Sequence, residues 1–273
     1  MERPPLPNFD RPPIAEVALS IQFKELTNFR VIHLGQLWDR FGRTEFPTTE
    51  EQQPVPRSME YFGIPTPAVM PQLQLLNVPP MPRYLFLSEN GSIVIQVQQD
   101  RFTVNWRKRS TEDEYPRFEA ISKIFESYAL KFAQFLKEKD LGLIQIDQAE
   151  VTYVNRIEST ETPGHIEKIV SVFSGDYSDT FLHDPEEVQL SLRFAMRHEG
   201  HVVGRLYIDS RPVVSGDPNS PLNMVLFARG KPAGNDIKAA LQFFAIGRAY
   251  IVSAFASVTS KQMHRTWGRI DNA

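Results

Sequence analysis

Arg101-Phe102-Thr103-Val104-Asn105-Trp106-Arg107 alternates polar and apolar side chains without a break, and its reading decides the fold class. A period of two marks a strand with one buried and one polar side. Phe102, Val104 and Trp106 would face a core, while Arg101, Thr103, Asn105 and Arg107 would face away from it. Toward the N-terminus, Ile93, Ile95 and Val97 alternate in the same manner. Before them, Tyr84 to Ser88 reads as a strand running into Asn90-Gly91, a pair that favours a type I′ hairpin because both residues tolerate positive φ. Toward the C-terminus, Phe118, Ile121, Phe125, Phe132 and Phe135 fall at helical spacing after Pro116. Five prolines keep the first thirteen residues extended, and a strand then carries Val17, Leu19, Ile21 and Phe23. Thr27 is placed to cap a helix with Phe29, Leu34, Leu37, Trp38 and Phe41. From 43 to 82 the chain is rich in Pro, Gln, Glu and Thr with no sustained period, which predicts a long irregular insertion.

The same order returns after residue 140. Ile144 to Ile157 reads as a strand, and Thr162-Pro163 starts a short helix with Ile166, Ile169, Val170 and Phe173. Leu190 to Met196, Val202 to Ile208 and Pro221 to Arg229 supply three more strands, and a long helix runs from Asp236 to about Trp267. Both opening strands carry Ala-Glu-Val, at 15–17 and at 149–151. The expectation is an α+β chain of two tandem β-α-β-β-β-α units, 1–140 and 141–273. They would form one curved antiparallel sheet with the long helices on a single face, in the manner of TATA-binding-protein-like or helix-grip folds. The last helix is apolar on two sides, with Leu241, Phe244, Ile251 and Phe255 on one and Phe243, Ile246 and Tyr250 on the other. That width predicts burial on both sides, and with it a homodimer.

Composition excludes several classes of function. The chain has no cysteine, which removes disulfides, thiolate metal sites and cysteine nucleophiles and fits a reducing, cytoplasmic setting. The opening Met-Glu-Arg-Pro-Pro-Leu-Pro lacks the apolar run of a signal peptide. The apolar stretch from Ile237 to Val258 holds Arg248 near its middle. Burying that guanidinium at the centre of a bilayer costs about 2.5 kcal/mol or more, so a buried core helix is expected and no membrane partner. Net charge is only −3, but residues 141–190 hold two basic and ten acidic side chains, and residues 191–273 hold eleven and five. This asymmetry predicts an acidic patch facing a basic one, within or between chains.

No motif that carries chemistry is complete. A glycine-rich phosphate loop, a Gly-x-Ser-x-Gly elbow and a His-Glu-x-x-His helix are all missing, so no catalytic residue and no cofactor is assigned. His198-Glu199-Gly200-His201 brings two histidines to a turn without further ligands, and turn chemistry explains it better than a metal. The candidate contacts are the polar residues of the sheet: Arg101, Asn105 and Arg107 from the first unit, Arg193, Arg205 and Tyr207 from the second. Cations beside aromatic groups suit a nucleic-acid partner, and a protein partner is the alternative for the same face. A rival reading is a small-ligand protein or enzyme, with a pocket between sheet and final helix lined by Tyr153, Asn155 and His264.

Pro12-Pro13-Ile14-Ala15-Glu16-Val17, Arg101 to Arg107, Tyr115-Pro116-Arg117-Phe118-Glu119, Tyr153-Val154-Asn155-Arg156-Ile157 and Trp267-Gly268-Arg269 together resemble a sporadically distributed bacterial family of about this length. The resemblance spans the chain, and Asn-Trp-Arg followed by Tyr-Pro-Arg-Phe is its most specific part. It implies a prokaryotic accessory protein of a mobile or defence-associated system, and it brings no assigned activity from which to transfer a site.

Overall fold

The computed structural model of the chain describes residues 5–62, 80–158, 169–171, 189–214 and 220–270. The helix predicted from Thr162 and residues 63–79 of the insertion fall largely or wholly outside them.

The elements, in chain order, are β1 (Asn8–Phe9), β2 (Ile14–Phe23), a 3-10 turn (Val31–His33), α1 (Leu34–Phe41), β3 (Thr48–Gln52), β4 (Arg83–Leu87), β5 (Ile93–Gln98), β6 (Arg101–Arg107) and α2 (Phe118–Glu138). They continue with β7 (Ile146–Ile157), β8 (Leu190–His198), β9 (His201–Pro212), β10 (Leu222–Gly230), α3 (Ile237–Val258), α4 (Lys261–Thr266) and β11 (Arg269–Ile270). The fold is α+β. Nine strands make one antiparallel sheet in the order β3-β4-β5-β6-β2-β7-β10-β9-β8, and β1 pairs with β11 apart from it.

The alternation in the sequence decides which side of the sheet is dry. Val17, Leu19 and Ile21 of β2, Phe102, Val104 and Trp106 of β6, Val151 of β7 and Met224 and Leu226 of β10 all enter one apolar core. The long helices close it from that side, α2 against β6 and β2, α3 against β7 and β10. Phe102 stacks on Phe132 at 5.6 Å, and Phe125 meets Phe244 edge-on at 4.9 Å, which joins the two helices. Helix α3 sits close to the sheet at Gly247, where an added Cβ would come within 3.2 Å of Ala228 and Val151. It is long and apolar enough to cross a membrane by composition alone, yet it packs here as a core helix.

Several expectations change at the level of single elements. The hairpin at Asn90-Gly91 is not of type I′, since only Gly91 takes positive φ (68°) and its N–H closes a turn onto Ser88 O at 2.8 Å. The asparagine side chain accounts for the difference, accepting from Ser92 N at 3.0 Å. The first helix begins later than Thr27, as a 3-10 turn from Val31. The predicted final helix is two: Thr259 is extended, and Ser260 caps α4 by accepting from Met263 N. The insertion contributes a strand, β3, whose exposed Thr-Thr-Glu-Glu-Gln has no apolar period to read. The second apolar side of α3 is used within the chain. Phe243 lies over Gly230, and the Tyr250 hydroxyl both accepts from and donates to the backbone of Arg197 in β8.

Candidate functional site

The other face of the sheet carries the polar half of each alternating strand, and the structure places a segment of the insertion across it. Residues 53–62 leave β3 and run over β5, β6 and β2 toward β10 and β9. The segment lies there because the glutamines and arginines of the face bind its main chain and one carboxylate.

The contacts follow the segment. Gln98 accepts from Val55 N and donates to Val55 O, both at 3.0 Å. Gln22 treats Ser58 identically, again at 3.0 Å each. Between them Arg101 donates to Pro56 O at 3.1 Å, while Arg57 reaches Phe23 O and Asp147. Glu60 then enters a basket of cations: Arg205 Nη1 lies 2.5 Å from one carboxylate oxygen, and the Tyr207 hydroxyl donates to the other at 2.7 Å. Arg229 stands 3.7 Å away and also pairs with Glu150. The Glu60 side chain is only 3% exposed, so this charge is held almost entirely by protein groups. Burial raises the Tyr207 pKa, and its bond to Glu60 adds to the rise. The Arg205 pKa is raised first by its bond to Tyr207 and then by Glu60.

Beyond Glu60 the face forms a ladder. Tyr207 and Phe227 are cross-strand partners whose rings stack at 4.4 Å and 8°. Arg193 covers the Tyr207 ring at 5.4 Å and Arg229 the Phe227 ring at 5.2 Å, within cation–π range. Three of the residues predicted from sequence, Arg193, Arg205 and Tyr207, thus meet in one place. Arg101 and Asn105 do not join them. They are 8% and 5% exposed; Asn105 accepts from Gln96 at 2.6 Å and donates to Glu16 within the sheet's own network, while Arg101 lies beneath the segment and holds Pro56 O. Burial lowers the Arg101 pKa, partly offset by Glu150 and Asp100. Arg107 lies half-buried at the far end of β6.

Sequence reasoning put Gln98 on this face without naming it as a contact, and it gave no role to Gln22, Glu60, Phe227 and Arg229. The last two sit on the outward alternation of β10 and were readable from it. Glu60 lies in a stretch with no period, so nothing along the chain pointed to it.

The residues of the rival pocket make their polar contacts in the core. The Tyr153 hydroxyl bonds that of Tyr115 at 3.0 Å, and burial pushes its pKa well above the ordinary tyrosine value. Asn155 donates to Met224 O at 3.1 Å, and His264 contacts Thr259 at 2.9 Å and Arg269 at 3.0 Å. A cavity of about 380 Å³ lies elsewhere, between Leu6, Pro7 and Asn8, the start of α2 at Arg117 and Glu119, and Arg248. At the β8–β9 turn, Glu199 and Gly200 take φ of 50° and 81°, and among the described residues no group of three potential ligands gathers around a metal position. Comparison with protein-family models, curated proteins and solved structures finds no match for this chain.

Proposed function

We propose that the chain is a non-enzymatic binding or assembly protein whose polar sheet face takes an anionic partner, protein or nucleic acid. The observation that carries this reading is the capture of the Glu60 carboxylate by Arg205, Tyr207 and Arg229 on a face that also presents Arg193. A sheet face that already holds one anion in a shaped, cationic basket has the donors that carboxylates and phosphates require. The resemblance to a patchily distributed bacterial family adds a setting, an accessory component of a mobile or defence-associated system.

The duplicated, TATA-binding-protein-like architecture belongs to the same proposal. The order β4-β5-β6-β2 on one side of the central pair mirrors β8-β9-β10-β7 on the other, which supports it. Superimposing the two Ala-Glu-Val tripeptides carries Ala18 onto Thr152, and these two are cross-strand partners, as a local two-fold axis between the units requires. The same shift carries Glu16 onto Glu150, whose cross-strand partners are Arg107 and Arg229. Architecture of this kind supplies a broad face and leaves the choice of partner to the side chains on it.

The test is fluorescence anisotropy with a labelled single-stranded oligonucleotide and, separately, a labelled acidic peptide, each titrated at several salt concentrations. Arg193→Glu and Arg107→Glu should each weaken binding about tenfold and flatten the salt dependence. Affinity for both probes that ignores both reversals overturns the assignment of this face.

A further inference from the structure

We infer that the ligand of this face is an extended peptide read in a fixed register, and that residues 53–62 are its resident occupant. The inference rests on the reading of the polar face as a recognition surface, and it narrows the partner to a protein segment.

Three features define the register. Gln98 and Gln22 each hold the N–H and the C=O of a single residue, Val55 and Ser58. A carboxamide that pairs with both main-chain groups of one residue reads backbone and is indifferent to side chain. The two clamped residues are three apart, the repeat of a polyproline-type strand, and Pro54 and Pro56 flank the first of them. Two residues beyond the second clamp, Glu60 reaches Arg205, Tyr207 and Arg229. The ligand so described is an extended segment with free main-chain groups at two positions three apart and a carboxylate two residues further on.

The resident segment does not satisfy everything beneath it. Arg101, Gln22 and Gln148 stand in one row across β6, β2 and β7. Arg101 Nε and Gln148 Nε2 are buried donors without a hydrogen-bond partner among the described residues, and Asp147 Oδ1 is a buried acceptor without one; Gln148 is 1% exposed. Buried polar groups are nearly always paired in a surface that has reached its final partner. A segment whose acceptors reached Arg101 Nε and Gln148 Nε2 would make two bonds that the occupant does not make among the described residues, which favours exchange for an outside peptide. Tethering works the other way: a covalently attached competitor acts at an effective concentration on the order of mM, which lowers apparent affinity for the same peptide in trans.

The experiment uses the full chain and a fluorescein-labelled peptide of the sequence of residues 52–62, followed by anisotropy. Glu60→Lys places a cation in the basket and expels the resident segment; Val55→Pro removes the N–H that Gln98 accepts from and leaves all charges unchanged. Both variant chains should bind the unaltered peptide at least tenfold more tightly than the wild-type chain, and a peptide whose own glutamate is lysine should lose that gain. Adding Gln22→Ala to Val55→Pro should return binding to the wild-type level or below. Peptide affinity equal in the wild-type and Val55→Pro chains overturns the resident-occupant inference. Failure of all chains to bind the peptide, with an oligonucleotide still captured in an Arg193-dependent manner, overturns the peptide register and leaves the anionic-face reading standing. Capture of neither probe by any chain sinks both.

Discussion

On the β5–β6–β2 side of the polar face, neutral groups do most of the interlocking, around the charged Arg101 and Glu16. Ser20 and Thr103 share a buried hydroxyl bond of 2.7 Å, Gln96 donates to Asn105, and Gln98 and Gln22 hold backbone. On the β7–β10–β9 side the same job falls to charges: Glu150 with Arg229, Glu60 with Arg205, and Arg193 over Tyr207. One segment of chain crosses both. Amides and hydroxyls carry a small desolvation cost and a fixed geometry, so they position the segment; ion pairs cost more to bury and discriminate by charge, so they select what the segment presents. The difference teaches that holding and selecting are separated along this face.

The contrast can be broken most strongly at Arg229. Arg229→Met leaves Glu150 without its cation and Glu60 with one fewer, and losing one partner of this part-buried pair costs about 2 kcal/mol, read as a lower urea midpoint at unchanged slope. A smaller loss is expected on the neutral side. Gln98→Ala frees Val55 N and O and removes about 1–2 kcal/mol, with faster hydrogen exchange at Val55 than at Ser58. Thr103→Val alone strands the Ser20 hydroxyl and costs about 1 kcal/mol, whereas Thr103→Val with Ser20→Ala should come back close to wild type. A double variant as unstable as the sum of its parts would show that this pair is not an isolated neutral unit.

The smallest effect at neutral pH lies where Tyr115, ahead of α2, meets Tyr153 of β7. Burial raises the pKa of both phenols above the unfolded value, so the folded state keeps protons that the unfolded chain gives up. The stabilisation is complete below the ordinary tyrosine range and is lost as pH rises from there through the folded values. Tyr115→Phe combined with Tyr153→Phe removes the hydroxyl bond whole, so it should leave neutral stability nearly unchanged and reduce the alkaline loss, followed by thermal melts between neutral and strongly alkaline pH. Identical alkaline curves for variant and wild type would remove this pair from the account.

Most strands of the sheet were legible because they alternate with period two, and Arg101 to Arg107 is the clearest of them; β3, without an apolar period, was not. The long helices were legible from their apolar spacing, and α3 begins at the predicted Asp236, which the structure shows as its cap, accepting from Ala239 N. Arg193, Arg205 and Tyr207 were placed on the correct face by the same alternation. Arg101 and Asn105 share that face yet lie under cover, because periodicity reports the side a residue faces and not what lies above it.

Local pattern by itself therefore determined the α+β class, the antiparallel strands and the dry face with its long helices. Those features depend on neighbours within a few residues, and hydrophobic alternation records them directly. Only the tertiary structure decided that residues 53–62 occupy the polar face, and that Glu60 meets Arg205 from across the chain. Such contacts join positions far apart in sequence, and one hydrogen-bonding glutamine or one carboxylate leaves no periodic trace along the chain.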